Sequence, residues 1–138
     1  MPVISHDLST KTQGGAIIHF DEGLVGFSDC KDFLLIENDR IAPFRLLQSA
    51  QKEVSFLVID ASIVMPDYCN RIPLREWESI GVSLAESQPT AFIICVLGPS
   101  ADASTGNLQA PLIINYKKMI GRQIILTDTV FSVRHPLL

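Results

Sequence analysis

The chain has 138 residues, 47% of them hydrophobic and 19% charged, and a formal net charge of −4. That length suits one ordinary domain with its own core, and the composition excludes the disordered regime. Its apolar runs fall well short of the ~18 residues a membrane span needs, and the longest basic run, Lys117-Lys118, is too small a footprint for direct nucleic-acid binding.

The first fifteen residues, MPVISHDLSTKTQGG, have neither a basic patch nor an apolar core, so no secretory signal is expected there. A soluble, cytoplasmic protein is expected, organised as one domain over 1–138. Short apolar runs then arrive in order. Ala16 to Phe20, Phe33 to Ile36, Phe44 to Leu47, Val54 to Ile59, Phe92 to Leu97, Leu112 to Tyr116 and Gln123 to Thr127 all read as strands. Each is bounded by Gly, Pro, Asn, Asp or Ser, and many are β-branched or aromatic. Seven or more such segments at close spacing predict an all-β barrel or sandwich. Several are apolar at both parities: Phe56 and Val58 face one way, Leu57 and Ile59 the other. Such strands need cover on both sides, or a partner on the outer one.

The connections carry their own signals. Gly23 and Gly26, three apart after the first strand, mark backbone positions that need glycine, and Asn38-Asp39-Arg40 reads as a hairpin turn. Tyr116 to Gly121 links the last two runs, with Gly121 expected to supply a positive φ. The one helix candidate, Leu74 to Ile80, follows Pro73 and ends at Gly81, with Leu74, Trp77 and Ile80 on a shared face.

Signals for covalent chemistry are sparse. His19 beside Asp21-Glu22 is a candidate general base, yet no nucleophile turn of the G-x-S-x-G kind accompanies it. A lone strand histidine is more often solvent-facing or satisfied by a neighbour. His6 and His135 lie near the termini, and no His-x-x-x-His spacing offers a metal site. Glu22 to Phe27 lacks both the Gly-Lys-Ser/Thr ending and any basic residue of a phosphate loop. Asp60 and Asp67 do not form a recognised ligand spacing, and Asp67 reads as a turn-former accepting backbone N–H bonds. Cys30, Cys69 and Cys95 are odd in number and widely spaced, which points to reduced, structural thiols. The amides of Gln48, Asn107 and Gln109 cannot move protons, but they can tie irregular backbone to sheet edges. Catalytic, cofactor and metal residues are therefore expected to be absent.

Taken in order, several stretches resemble the FliW family of flagellar assembly factors. They are Ile18-His19-Phe20-Asp21-Glu22-Gly23-Leu24-Val25-Gly26-Phe27, Pro43-Phe44-Arg45-Leu46-Leu47-Gln48-Ser49 and Phe56-Leu57-Val58-Ile59-Asp60 leading into Pro66-Asp67-Tyr68. Asn107-Leu108-Gln109-Ala110-Pro111-Leu112-Ile113-Ile114-Asn115, Gly121-Arg122-Gln123 and Arg134-His135-Pro136 complete the series. The chain departs from the family pattern at Val25 and Ala61, where relatives usually carry proline, so looser turns are expected at both. The resemblance implies an all-β, mainly antiparallel, small β-barrel-like domain with one short helix and no enzymatic activity or cofactor. It also implies two protein partners, flagellin and the RNA-binding translational repressor CsrA, with flagellin shielded before export. A mildly acidic balance suits a basic partner of that kind. Phe44, Leu46, Gln48, Tyr68, Asn107 and Leu108 are the candidate partner-binding residues, along with the outer faces of Phe44 to Leu47 and Val54 to Ile59. Each also has a plain reading as core or loop support. The rival readings are a small β-barrel enzyme using His19 with Asp21 or Glu22, and a ligand-binding structural subunit.

Overall fold

The computed structural model describes residues 16–86, 88–100, 103–127 and 130–137. Strands β1 (Ala16–Phe20), β2 (Asp32–Ile36), β3 (Arg45–Ser49) and β4 (Ser55–Asp60) form an antiparallel meander. Strand β5 (Thr90–Val96) pairs with β4 on one side and with β7 (Leu112–Asn115) on the other. β7 pairs with β8 (Ile120–Gln123), and β8 returns alongside β1 in the fold's parallel pairing. The circuit β1-β2-β3-β4-β5-β7-β8 therefore closes as a seven-stranded barrel. Closure removes the free edges that would otherwise recruit foreign strands. Two short strands, β6 (Thr105–Gly106) and β9 (His135–Pro136), extend the sheet beside β5.

The period-2 alternation of the strands divides the apolar residues into two cores. Ile18, Phe20, Phe33, Leu35, Leu47, Phe56, Val58, Phe92, Leu112 and Ile114 fill the barrel. Phe20 and Phe33 meet edge-to-face at 5.6 Å between ring centroids. Gly121 makes room for them: a Cβ there would lie 2.7 Å from the Phe20 ring. The opposite parity of β4, β5 and β7 (Leu57, Ile59, Ala91, Ile93, Cys95 and Ile113) is buried in a second core outside the barrel. Its cover comes from α1 (Ala61–Val64), a 3-10 turn (Tyr68–Arg71), α2 (Leu74–Ser79) and the segment around Leu108. The double-faced strands thus find cover within this chain.

Four expectations about local structure need correction. Among the described residues there are three short helical pieces where one was expected, because Asp60 caps α1 by accepting from the Ser62 amide at 2.9 Å, and Tyr68 pins the 3-10 turn to the second core. On α2, Trp77 and Ile80 are buried but Leu74 is 55% exposed, so the apolar face is narrower than its spacing suggests. The last barrel strand is Ile120–Gln123 rather than Gln123 to Thr127, and Met119, not Gly121, takes the positive φ (53°) of the β7–β8 turn. Gly121 is spent instead on the close approach of Phe20. Ile124 and Leu126 stay buried and donate to the Pro111 and Gln109 carbonyls, so 124–126 runs beside the 107–111 lead without joining the ladder.

Candidate partner-binding surface

The polar residues of the loops mostly hold backbone. Asn107 Oδ1 accepts from the amides of Gln109 (3.0 Å) and Ala110 (3.2 Å), closing the turn before β7. Asn115, buried at the end of β7, donates to the Ile80 carbonyl at 2.8 Å and accepts from the Lys118 amide. It joins the end of α2 to the β7–β8 turn. Gln123 donates to the Ala110 carbonyl and accepts from the Val25 amide at 2.8 Å, tying β8 to two loops at once. Tyr68 Oη donates to the Leu108 carbonyl, and burial pushes its phenol far up. The Gly23 and Gly26 turn has φ of 67° and 84°, as its glycines require.

The candidate contact residues separate into two groups. Leu46, Tyr68 and Leu108 are essentially inaccessible and act as core, so they present no surface to a partner. The same holds for the outward parity of Val54 to Ile59, which lies beneath the helical cover. Phe44, half-buried, packs against the second core, while Gln48 and Asn107 are half-buried on β3 and the loop before β7. His6 lies outside the described residues.

His19 is half-exposed beside the parallel seam. Its Nδ1 lies 2.8 Å from Asp32 Oδ1 and its Nε2 3.6 Å from Asp21. The hydrogen bond to Asp32 raises the imidazole pKa, and the same bond holds the Asp32 carboxyl below its ordinary value. Of the two expected neighbours Asp21 stays beside His19 and Glu22 does not, while Asp32, across the β1–β2 register, makes the shorter contact. Glu22 instead faces Arg122 at 3.5 Å. Ser79, which lines a small cleft together with His19, Asp21 and Glu22, donates its hydroxyl to the Glu76 carbonyl at 2.6 Å. No group of three or more His, Cys, Asp or Glu among the described residues is arranged to hold a metal. Asp67 precedes the 3-10 turn without a side-chain cap bond, and its carboxylate accepts from Arg71 Nε at 3.1 Å instead.

Two open clefts adjoin at the barrel's end. The larger, about 900 Å³, is the barrel mouth, lined by Glu37, Asn38, Arg45, Asp60 and Tyr116 among others. There the Arg45 guanidinium sits 5.3 Å from the Phe92 ring centroid and 3.6 Å from Glu37. Burial pushes the Tyr116 phenol up, with Arg45 opposing. The second, about 610 Å³, shares Asp60 and Thr90 with the mouth and continues past Pro66 and Cys69 to Leu84 and Glu86.

This geometry, a closed barrel with a helical cover on one outer face, has counterparts. The FliW protein family model matches residues 7–137. The chain belongs to the FliW family. It is 37% identical over 124 residues to the flagellar assembly factor FliW of Natranaerobius thermophilus, covering 88% of this chain and 81% of that protein. The FliW of Borreliella afzelii is 35% identical, covering 88% and 91%. That of Desulfitobacterium hafniense strain Y51 is 39% identical, covering 88% and 80%. A crystal structure of the flagellar assembly factor FliW superposes with a TM-score of 0.78 at 29% identity, over 98% of this chain and 89% of that one. Against the usual FliW pattern, Val25 is informative. Its amide, which a proline would lack, makes the bond to Gln123, so this turn is tied rather than loosened. Ala61, the other departure, is fully buried at the start of α1, a position proline also tolerates.

Proposed function

We propose that this protein is a non-enzymatic, cytoplasmic flagellar assembly factor that binds flagellin and antagonises the translational repressor CsrA. The observation that carries this reading is FliW family membership across residues 7–137. Its relatives are named as flagellar assembly factors, not as enzymes. The net charge of −4 suits a basic, RNA-binding partner, which gains on-rate and selectivity from opposite charge. No helix among the described residues is long and apolar enough to cross a membrane. Asn107, Asn115 and Gln123 use their amides on backbone, which favours a scaffold over a reactive cleft.

In this reading, accumulating flagellin holds the protein and is shielded before export, while free CsrA represses flagellin messenger RNA. Export releases the protein to capture CsrA, so flagellin synthesis follows filament assembly. If this protein and the RNA bind CsrA at separate sites, relief of repression requires a coupling free energy of about 1–3 kcal/mol between them. The test is titration of a CsrA–RNA complex with this protein, with and without purified flagellin. RNA release that flagellin suppresses is expected. RNA that stays bound at saturating protein, with no flagellin complex formed, sinks the proposal.

The His19–Asp32 pair favours one rival, an acid–base enzyme. Turnover of a candidate substrate that disappears in His19→Asn would establish it.

A further inference from the structure

Residues 21–27 close the end of the barrel away from the mouth, since β1 begins at Ala16 on the mouth's lining and runs down to them. Leu24 is buried there, and the half-buried Phe27 meets the Phe56 ring edge-on at 5.3 Å between centroids. Just beyond lies Cys30, a fully buried thiol of the barrel core, whose amide donates to the Phe27 carbonyl at 3.1 Å.

This turn is fastened unequally on its two sides. Its backbone bonds are local: Gly23 donates to the Phe20 carbonyl, and Leu24 and Phe27 bond each other. Its stems are anchored toward β2 and β3, where Lys31 Nζ donates to the Asp21 carbonyl at 2.7 Å and Lys52 pairs with Asp29. Toward β8, the described residues supply the bond from the Val25 amide to Gln123 and the Glu22–Arg122 pair, both at the surface. Exposed contacts of this kind compete with water, and each adds only modestly to stability. The neighbouring ladder is short as well. β1 and β8 pair through His19–Ile120 and Phe20–Gly121, whereas β1 and β2 pair from Ala16–Leu35 through to His19–Asp32. Gly23 and Gly26, held at positive φ, gain backbone freedom when the turn lets go.

We infer that residues 21–27 form a flap that unlatches from β8 while the strands stay paired, opening the end of the barrel that holds Cys30. The barrel then has one standing opening, the mouth, and one gated opening at its far end. Unlatching costs less than global unfolding, because the β1–β4 meander and the outer core keep their contacts.

Two buried thiols read the flap out: Cys30 in the barrel core and Cys95 in the outer core. The folded full chain is labelled with a maleimide and followed by peptide mass spectrometry. Each rate is scaled to that of the same thiol in denaturant, which gives the opening equilibrium at each site. Cys30 is expected to label at least tenfold faster than Cys95 and to respond weakly to denaturant below the unfolding transition, whereas Cys95 responds steeply. Gln123→Leu should speed Cys30 about tenfold, and the surface change Glu22→Lys a few-fold. Tyr68→Phe loosens the outer core alone, so it should speed Cys95 and leave Cys30 unchanged. Equal scaled rates at the two thiols, with the same denaturant dependence, would mean that the barrel end opens only with the whole chain, and would overturn the flap. Tyr68→Phe speeding both alike would do the same. A fast Cys30 indifferent to both Gln123→Leu and Glu22→Lys would overturn it too, because access would then come by another route.

Discussion

The two cores of this protein are built on different terms. Inside the barrel, Phe20, Phe33, Phe56 and Phe92 pack with aliphatic neighbours from successive strands, and the fit depends on ring geometry and on Gly121. The outer core is assembled from distant segments, and polar atoms come with them. Tyr68 reaches Leu108 forty residues on, and Asn115 reaches back thirty-five residues to Ile80. Trp77 is fully buried, and its indole N–H is without a hydrogen-bond acceptor among the described residues. Strand alternation alone can organise the first core. The second needs specific long-range bonds to seat irregular backbone against the sheet.

The largest expected effects come from emptying either core. Phe33→Ala and Trp77→Ala are each expected to cost about 3–5 kcal/mol in denaturant unfolding. Trp77→Phe should cost much less than Trp77→Ala, because it sacrifices an N–H that makes no bond among the described residues. Equal losses for Phe and Ala at 77 would show that the indole nitrogen matters after all. The contrast sharpens at Tyr68. Tyr68→Phe keeps the ring but strands the Leu108 carbonyl, with an expected loss of about 1–3 kcal/mol. The clustered barrel core is hydrocarbon and the Cys30 thiol, and the buried Ser49 hydroxyl at the end of β3 accepts from the nearby Gln51 and Lys52 amides instead of bridging distant segments.

This difference also explains what was legible in the sequence. Alternation marked β1 to β5 and β7 closely, and the double-faced pattern of Phe56 to Ile59 called for cover on both sides or a partner on the outer one, of which the structure shows the former. The cover itself was only partly visible. Ala61–Val64 and Tyr68–Arg71 are too short to show a helical period, and their seating depends on contacts far along the chain. Tyr68 and Leu108 stood out as candidate contacts because an aromatic residue and a leucine in polar loops resemble anchors. In the folded chain they anchor one another. Gly121 misled for a related reason: a glycine near a turn can serve the turn or a neighbouring ring, and only the β1–β8 register decides between them.

A smaller effect is expected at the tie between Val25 and Gln123. Gln123→Leu removes the bonds to Val25 and Ala110, and a loss of about 1–2 kcal/mol is expected in the melt. Val25→Pro removes the donor but stiffens the turn, so a smaller change is expected. If Val25→Pro proves as damaging as Gln123→Leu, the amide bond outweighs the stiffening; if it stabilises, the reverse holds.

The smallest effect belongs to the surface pair at the barrel seam. His19 is raised above its ordinary 6.5 by the Asp32 hydrogen bond, and Asp32 is lowered below its ordinary 3.8 by His19. A raised histidine contributes stability that is complete below its unfolded pKa and fades as pH rises through the folded value. A lowered aspartate contributes stability that is present above its unfolded pKa and fades as pH falls through the folded value. The pair therefore contributes fully only between those two ordinary values, and the contribution is small because both side chains face solvent. Melting temperature followed from pH 4 to pH 8 should show a shallow decline above pH 6.5 that His19→Asn abolishes. The decline should weaken with added salt, as screening of an exposed pair demands. A decline that persists in His19→Asn would assign it to another group, leaving the seam to be held by its backbone ladder and by Phe20 packed over Gly121.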